Sequence, residues 1–217
     1  KTSATPEKEH YLIRGQKIFI TWGEHDMTEN IVHLVLARLP GAPLGVKGIS
    51  LFLVPKILVN EDGSLGEPND LKALSLEHKI GIHACPTCVM SYGDIRGATG
   101  YLIGEENKGL ECMFTMMNNA RLTVGLQGVS VAERAYQQAL SYCNERVQGV
   151  APGYKEAGPI IRHPDVQRML TTMKSITEAA RALTYSACTE VDMAASDLPA
   201  GTLEKHTRRL GLFTPIV

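Results

Sequence analysis

Two arginines, a pair of cysteines and a basic tract are the residues of this sequence whose types and spacing could do chemistry. Arg121 stands among apolar neighbours in a long stretch without proline, where a guanidinium either completes a structural ion pair or reaches an anionic ligand. Arg146 stands at the far end of the same stretch, where a cation suits the negative end of a helix and a ligand role is the alternative. Cys85-Pro86-Thr87-Cys88, close to His83, has the spacing of half a metal site or of a redox pair. No second pair exists: Cys112, Cys143 and Cys188 lie singly on helical stretches and the seven histidines are scattered, so structural thiols are the expected reading. Lys205-His206-Thr207-Arg208-Arg209 reads as a solvated helix face, and Glu111 and Glu133 as solvated or paired surface charges. Phe19-Ile20-Thr21 reads by itself as an apolar strand with its threonine facing solvent.

The arginines are carried by the stretch from Asn107 to Gly149. Leu110, Phe114, Met117, Val124, Val131, Ala135, Ala139 and Tyr142 recur there at helical steps, which predicts an amphipathic helix of about 60 Å. Asn107 is placed to cap it, Glu105 and Glu106 favour its positive end, and Gly149 with Pro152 stops it. Gly125 and Gly128 inside it each cost about 1 kcal/mol relative to alanine, so something is expected to approach the backbone closely there. His163-Pro164-Asp165 opens a second helix that keeps the helical period from Val166 to about Ala194, and Thr202 to Leu212 begins a third.

Before these helices the pattern is extended. Tyr11 to Ile13, a turn at Arg14-Gly15 and Ile18 to Thr21 read as a hairpin, followed by runs at Ile31 to Leu39 and Ile49 to Val54. A polar loop from Asn60 to Asn69 precedes a further extended stretch from Lys79 to Tyr92. The fold class is therefore α+β: a small antiparallel β-barrel or sandwich domain over residues 1–105, then the long antiparallel helices of an incomplete bundle over 106–217. With 44% hydrophobic residues there is enough apolar side chain for a real core, and no apolar run approaches the ~20 residues a membrane-spanning helix requires. A net charge of −1 gives no general attraction to nucleic acid or to an anionic membrane, and five cysteines fit a reducing compartment better than a disulfide framework.

Several segments, in order, resemble one family. Arg121, Gly128, AERAYQQALSY and Glu145-Arg146 resemble the first long helix of the C-terminal bundle of acyl-CoA dehydrogenases. GQKIFIT, VLAR, GISLFLVP, EHKIGIHACPT and YGDIRGATGYLIGEENKGL resemble the strands of that family's middle domain and its entry into the helix. The resemblance covers nearly the whole chain and implies a fragment of a flavoenzyme of fatty acid metabolism. Such enzymes oxidise an acyl-CoA to the 2,3-enoyl-CoA by removing an α proton with a carboxylate and passing a hydride to flavin N5.

Carried over residue by residue, the resemblance implies that Phe19, Ile20 and Thr21 lie beside the isoalloxazine ring of FAD, with Phe19 replacing the family's usual tryptophan. It implies that Arg146 reaches the FAD of a neighbouring subunit, although Val147-Gln148-Gly149 departs from the family's following residues. It implies too that Asn118 and Arg121 face the thioester and pantetheine arm of acyl-CoA, with Asn118 where an aspartate is common. No catalytic residue is assigned: the family's base lies on a later helix or, in a minority, immediately before the arginine, where this chain has Ala120. The β domain is expected to be incomplete at its N-terminal side and the bundle at its C-terminal side, so the chain alone is expected to hold little or no FAD and to be inactive.

The implied partners are acyl-CoA, an electron-transfer flavoprotein or similar acceptor, and further copies of the subunit, with no membrane and no nucleic acid. The implied compartment is the bacterial cytoplasm, with the mitochondrial matrix as the alternative. Two rival classes are an acyl-CoA oxidase and a DNA-binding homologue of the damage-response type, for which only Lys205 to Arg209 speaks. The EHKIGIHACPT wording leans toward the larger bacterial members, including those acting on unusual short acyl thioesters.

Overall fold

Strand pairing in the first part of the chain is antiparallel throughout its ladders, as alternating apolar runs separated by turn residues require. The computed structural model describes residues 1–217 and separates into two compact units, Lys1–Thr115 and Met116–Val217. In the first unit the strands are β1 (Ser3–Glu7), β2 (His10–Thr21), β3 (Val32–Ala37), β4 (Ser50–Pro55), β5 (Ile57–Val59), β6 (Leu65–Pro68), β7 (Leu71–Leu76), β8 (Thr87–Tyr92) and β9 (Ala98–Ile103). The main sheet runs β3-β4-β9-β2-β8-β7 with β1 beside β2, while β5 and β6 form a separate hairpin. It follows an open path and not a closed barrel, although Ala4 N–H donates to Arg38 O at 2.9 Å and Arg38 N–H to Thr2 O at 3.1 Å just past β3. Ile13, Val35, Phe52, Val54, Met90 and Tyr92 build the core.

Several expectations for this unit are corrected. No turn interrupts β2 at Arg14-Gly15: Arg14 pairs with Ser3 and Gly15 with Tyr92, so the strand passes from one set of neighbours to the next. Gly15 is there because a Cβ would lie 2.9 Å from Thr2 Cα. The hairpin turn is at Lys8-Glu9, with Lys8 at φ 54°. The loop from Asn60 to Asn69 contains β6, Leu71–Leu76 forms a strand the sequence pattern did not signal, and of the stretch from Lys79 only Thr87–Tyr92 is a strand. Cys85 lies in the loop before β8, while Cys88 is fully buried on it.

The helices are α1 (Gly109–Glu145), α2 (Pro164–Ala194) and α3 (Ala200–Phe213). Asn107 does not cap α1. It has a left-handed backbone (φ 65°), its N–H donates to Ser50 Oγ at 2.8 Å, and its buried Oδ1 has no partner. The first turn closes instead on Lys108 O, which accepts from Glu111 N–H at 3.1 Å. The helical period is as expected, but the buried stripe of α1 is Leu122, Val129 and Cys143, whereas Val124, Val131 and Tyr142 are more than half exposed.

Leu170, Thr177, Thr184, Ala187 and Glu190 form the buried stripe of α2. His163, at the start of α2, bonds to Gln148 O just past α1, and Arg181 pairs with Glu133 at 2.5 Å, so the two helices run antiparallel. The basic tract on α3 is not simply a solvated face. Arg208 pairs outward with Glu204, but His206 Nδ1 and Arg209 reach the buried carboxylate of Glu190 at 2.6 and 3.0 Å.

Removing that carboxylate (Glu190→Ala) strips His206 and Arg209 of their shared partner. Because the Arg209 side chain is 46% exposed it can rehydrate, so the expected loss is about 2 kcal/mol and not the larger penalty of a stranded buried charge. Glu190→Gln, which keeps an acceptor, is expected to lose about half of that. Hydrogen exchange along α3 with denaturant titration checks both, and equal stability of Glu190→Ala and wild type would refute the clamp.

Candidate functional site

The second half of β2 has a local irregularity that decides what it presents. Lys17 pairs with Met90 and Ile20 with Cys88, so Ile18 and Phe19 together oppose the single Val89: a β-bulge. Phe19 takes φ 59° and Trp22 φ 57°, left-handed conformations that cost a residue with a Cβ about 1–2 kcal/mol each. The result is an aromatic display, with Phe19 66% and Trp22 39% exposed. Ile20 is half-buried and Thr21 is exposed opposite Thr87. β1 and β9 pair with β2 only as far as Arg14, so no strand covers the other edge of Lys17–Thr21 and that backbone edge is open to a ligand.

The display is anchored directly behind. Trp22 N–H donates to Pro86 O at 2.9 Å, and Gly23 is buried so tightly that a Cβ would lie 2.9 Å from Met90 Sδ and 3.1 Å from Cys88 Cβ. The open edge and outward aromatics fit the flat ring of a flavin, for which Phe19, Ile20 and Thr21 were singled out. Trp22 was missed. Its signal in the sequence is that it is the single tryptophan, immediately after Thr21.

In the second unit, Asn118 and Arg121 come together one turn apart on α1, with Arg121 Nη1 donating to Asn118 Oδ1 at 3.3 Å. Arg121 is the one charged side chain lining a groove of about 790 Å³ between α1 and α2. Its walls include Ala120, Val124, Gly128, Ile176 and Leu183, and Thr214–Val217 lies along it. A cation at the edge of an apolar groove suits a ligand with a polar head and an apolar tail. No carboxylate side chain lines the groove. Glu111 pairs with Lys108, and Glu133 accepts from Gln137 and Arg181, which hold its carboxyl below the usual range.

The two helical glycines differ. A Cβ on Gly125 would lie 2.3 Å from Val217 Cγ1 and 2.9 Å from Val217 O, whereas Gly128 has nothing within 4 Å. The close approach expected at both is therefore present only at Gly125. Gly128→Ala is expected to stabilise α1 by about 1 kcal/mol through helix propensity. Gly125→Val is expected to displace Thr214–Val217, at a net cost, because a backbone oxygen has to move. Thermal denaturation and exchange at residues 214–217 check the pair, and a stabilised Gly125→Val would refute the contact.

Arg146 lies just past α1, exposed, its guanidinium 3.3 Å from Gln148 Oε1 and its carbonyl accepting from Ile160 N–H at 2.8 Å. Twenty-five residues of helix put it roughly 37 Å from Arg121, so the two arginines do not share a site.

Comparison with known proteins places these features in context. Residues 107–207 match the family model described as acyl-CoA dehydrogenase, C-terminal domain. The chain is 54% identical to the 3-methylmercaptopropionyl-CoA dehydrogenase of Ruegeria pomeroyi over 89% of its own length and 33% of that protein. It is 46% identical to a butyryl-CoA dehydrogenase of Syntrophomonas wolfei over 81% of its length and 30% of that protein. Among solved structures, an acyl-CoA dehydrogenase of Bacillus anthracis complexed with FAD superposes with a TM-score of 0.71 at 25% identity, covering 99% of this chain and 32% of that one. The chain thus spans about a third of the length of the relatives it matches.

Proposed function

The chain belongs to the acyl-CoA dehydrogenase family, and from that premise we propose that it is part of an FAD-dependent enzyme that oxidises an acyl-CoA thioester to the 2,3-enoyl-CoA. The observation that carries this reading is the bulge at Ile18-Phe19, which turns an aromatic ring outward beside an open strand edge. Residues 1–105 are assigned to the middle β domain and 106–217 to the first part of the helical bundle. Bound FAD would accept the hydride from the β carbon.

The residues of this chain bind and orient. Phe19 stacks on the ring, and the Thr21 hydroxyl and the backbone of Phe19 to Thr21 hydrogen-bond its polar edge. Arg146 pairs with the pyrophosphate of a neighbouring subunit's FAD. Arg121, with Asn118 holding its guanidinium, meets the thioester and pantetheine arm of acyl-CoA. Ala120 has no carboxylate to offer, so the base that takes the α proton comes from another part of the enzyme. The relatives named for 3-methylmercaptopropionyl-CoA and butyryl-CoA support a short acyl group, and an electron-transfer flavoprotein or similar acceptor would reoxidise the flavin. The exposed Val131 and Tyr142 support assembly with further copies, and the bacterial relatives support a cytoplasmic enzyme.

In the full-length enzyme, Arg121→Ala is expected to weaken acyl-CoA binding about 10- to 100-fold with FAD content unchanged, and Arg146→Ala to weaken FAD retention by a similar factor with acyl-CoA affinity largely kept. Titration with acyl-CoA and flavin absorbance after gel filtration measure the two separately. Unchanged FAD content in Arg146→Ala would remove that residue from the site. Turnover with oxygen instead of an electron-transfer flavoprotein would indicate an oxidase.

A further inference from the structure

The aromatic display at the end of β2 has, besides its backbone bond to Pro86, a buried side-chain support. On β3 the side chains of His33, Val35 and Ala37 face the core while Val32 and Leu34 are half exposed. His33 Nε2 lies 3.0 Å from the carbonyl oxygen of Gly23, and its Nδ1 lies 3.0 Å from the hydroxyl of Tyr92, whose ring stands edge-on to it. A carbonyl only accepts, so Nε2 carries the hydrogen. In the neutral ring Nδ1 is then an acceptor and Tyr92 the donor, which fixes the tautomer. Gly23 follows Trp22 directly and stands four residues after Phe19, so its carbonyl is the first one beyond the two left-handed residues. Residues held in such conformations persist only where the surroundings impose them.

We propose that His33 is a positioning residue for the segment Phe19–Gly23, its tautomer set by Tyr92, so that Phe19 and Trp22 together form the wall that meets the flavin ring. The flavin as occupant rests on the function proposed above; the hold on the segment does not. Tyr92 is 2% exposed, so the support is shielded from exchange with water.

Charge on His33 is opposed first by burial, which pushes its pKa below the ordinary 6.5, with Lys56 and His25 adding to that effect. The hydrogen bond to Gly23 and the carboxylate of Glu24 act the other way without overcoming it. Burial likewise pushes the Tyr92 hydroxyl up, so it stays a donor. A His whose folded pKa is lowered contributes fully above the unfolded value of 6.5, and its contribution declines as pH falls from there toward the folded value.

Trp22 is the chain's single tryptophan, so its fluorescence reports on this segment alone. Three variants separate the roles. His33→Leu removes both bonds, His33→Gln keeps an N–H for the Gly23 carbonyl, and Tyr92→Phe keeps the ring but removes the hydroxyl. In the 217-residue chain, His33→Leu is expected to speed amide exchange across residues 19–23 about tenfold and to raise acrylamide quenching of Trp22. His33→Gln is expected to restore both to within about twofold of wild type, with Tyr92→Phe between, and wild-type quenching is expected to rise as pH falls below 6.5.

In the full-length enzyme, FAD retention is expected to follow the same ranking. Exchange and quenching in His33→Leu equal to wild type, or His33→Gln no better than His33→Leu, would overturn the proposal. If His33→Leu does not fold, Tyr92→Phe decides: unchanged quenching and exchange in it overturn the proposal, and the intermediate response upholds it. If the segment responds in that order while FAD retention is the same in every variant, the hold stands and the flavin as its occupant is overturned.

Discussion

Purified by itself, the 217-residue chain is expected to carry no stoichiometric FAD and to dehydrogenate no acyl-CoA, while the full-length protein is expected to do both. On the function proposed above, Phe19 to Thr21 would supply one wall for the ring, and Arg146 one contact for a neighbour's pyrophosphate. The chain spans about a third of the length of its relatives, so most of the contacts of a bound dinucleotide are expected from residues outside it. The cost of immobilising the ligand is not divided in the same proportion, so affinity falls faster than the number of contacts, by about a thousandfold or more. Visible absorbance of the purified chain and a dye-reduction assay read the result. A yellow, turnover-competent preparation of residues 1–217 would refute it.

Phe52→Ala is expected to have the largest effect on folding. Phe52 is fully buried on β4 between β3 and β9, paired with Val35 and Leu102, and its ring lies 5.0 Å from that of Tyr11. Truncating such a side chain removes its transfer free energy and leaves a cavity that a sheet paired on both sides cannot close, about 3–5 kcal/mol in all. That is about a fifth or more of the ordinary stability of a domain. Calorimetry is expected to show the transition of the first unit lowered by about 15 °C or more. Phe52→Leu is expected to cost well under half as much, and equal costs for the two would mean that the site collapses freely.

The helices were legible in the sequence because a helix is specified locally. The proline-free run from Lys108, the apolar residues at three- and four-residue steps and Pro164 at the start of α2 all act within a few turns, and α2 ends at Ala194 where its period ends. Which face of a helix is buried is not local. α1 carries apolar residues on two faces, and the choice of Leu122 and Val129 over Val124 and Val131 depends on where its neighbours lie. The same holds for the basic tract on α3, which turns inward at His206 and Arg209 only because Glu190 is buried opposite.

In the β unit the sequence by itself determined that antiparallel strands would form, and the order of its segments determined the family. Tertiary structure decided the rest. Val32 to Ala37 has apolar residues on both parities, so only pairing with β4 could place His33 inside and Leu34 outside. Gly15 reads as a turn from composition, and it is Thr2, far away in the chain, that makes it a point of close passage. The bulge that turns Phe19 outward arises from two residues of β2 facing one of β8. Strand pairing joins residues distant in the chain, and side-chain periodicity carries no record of the partner's register.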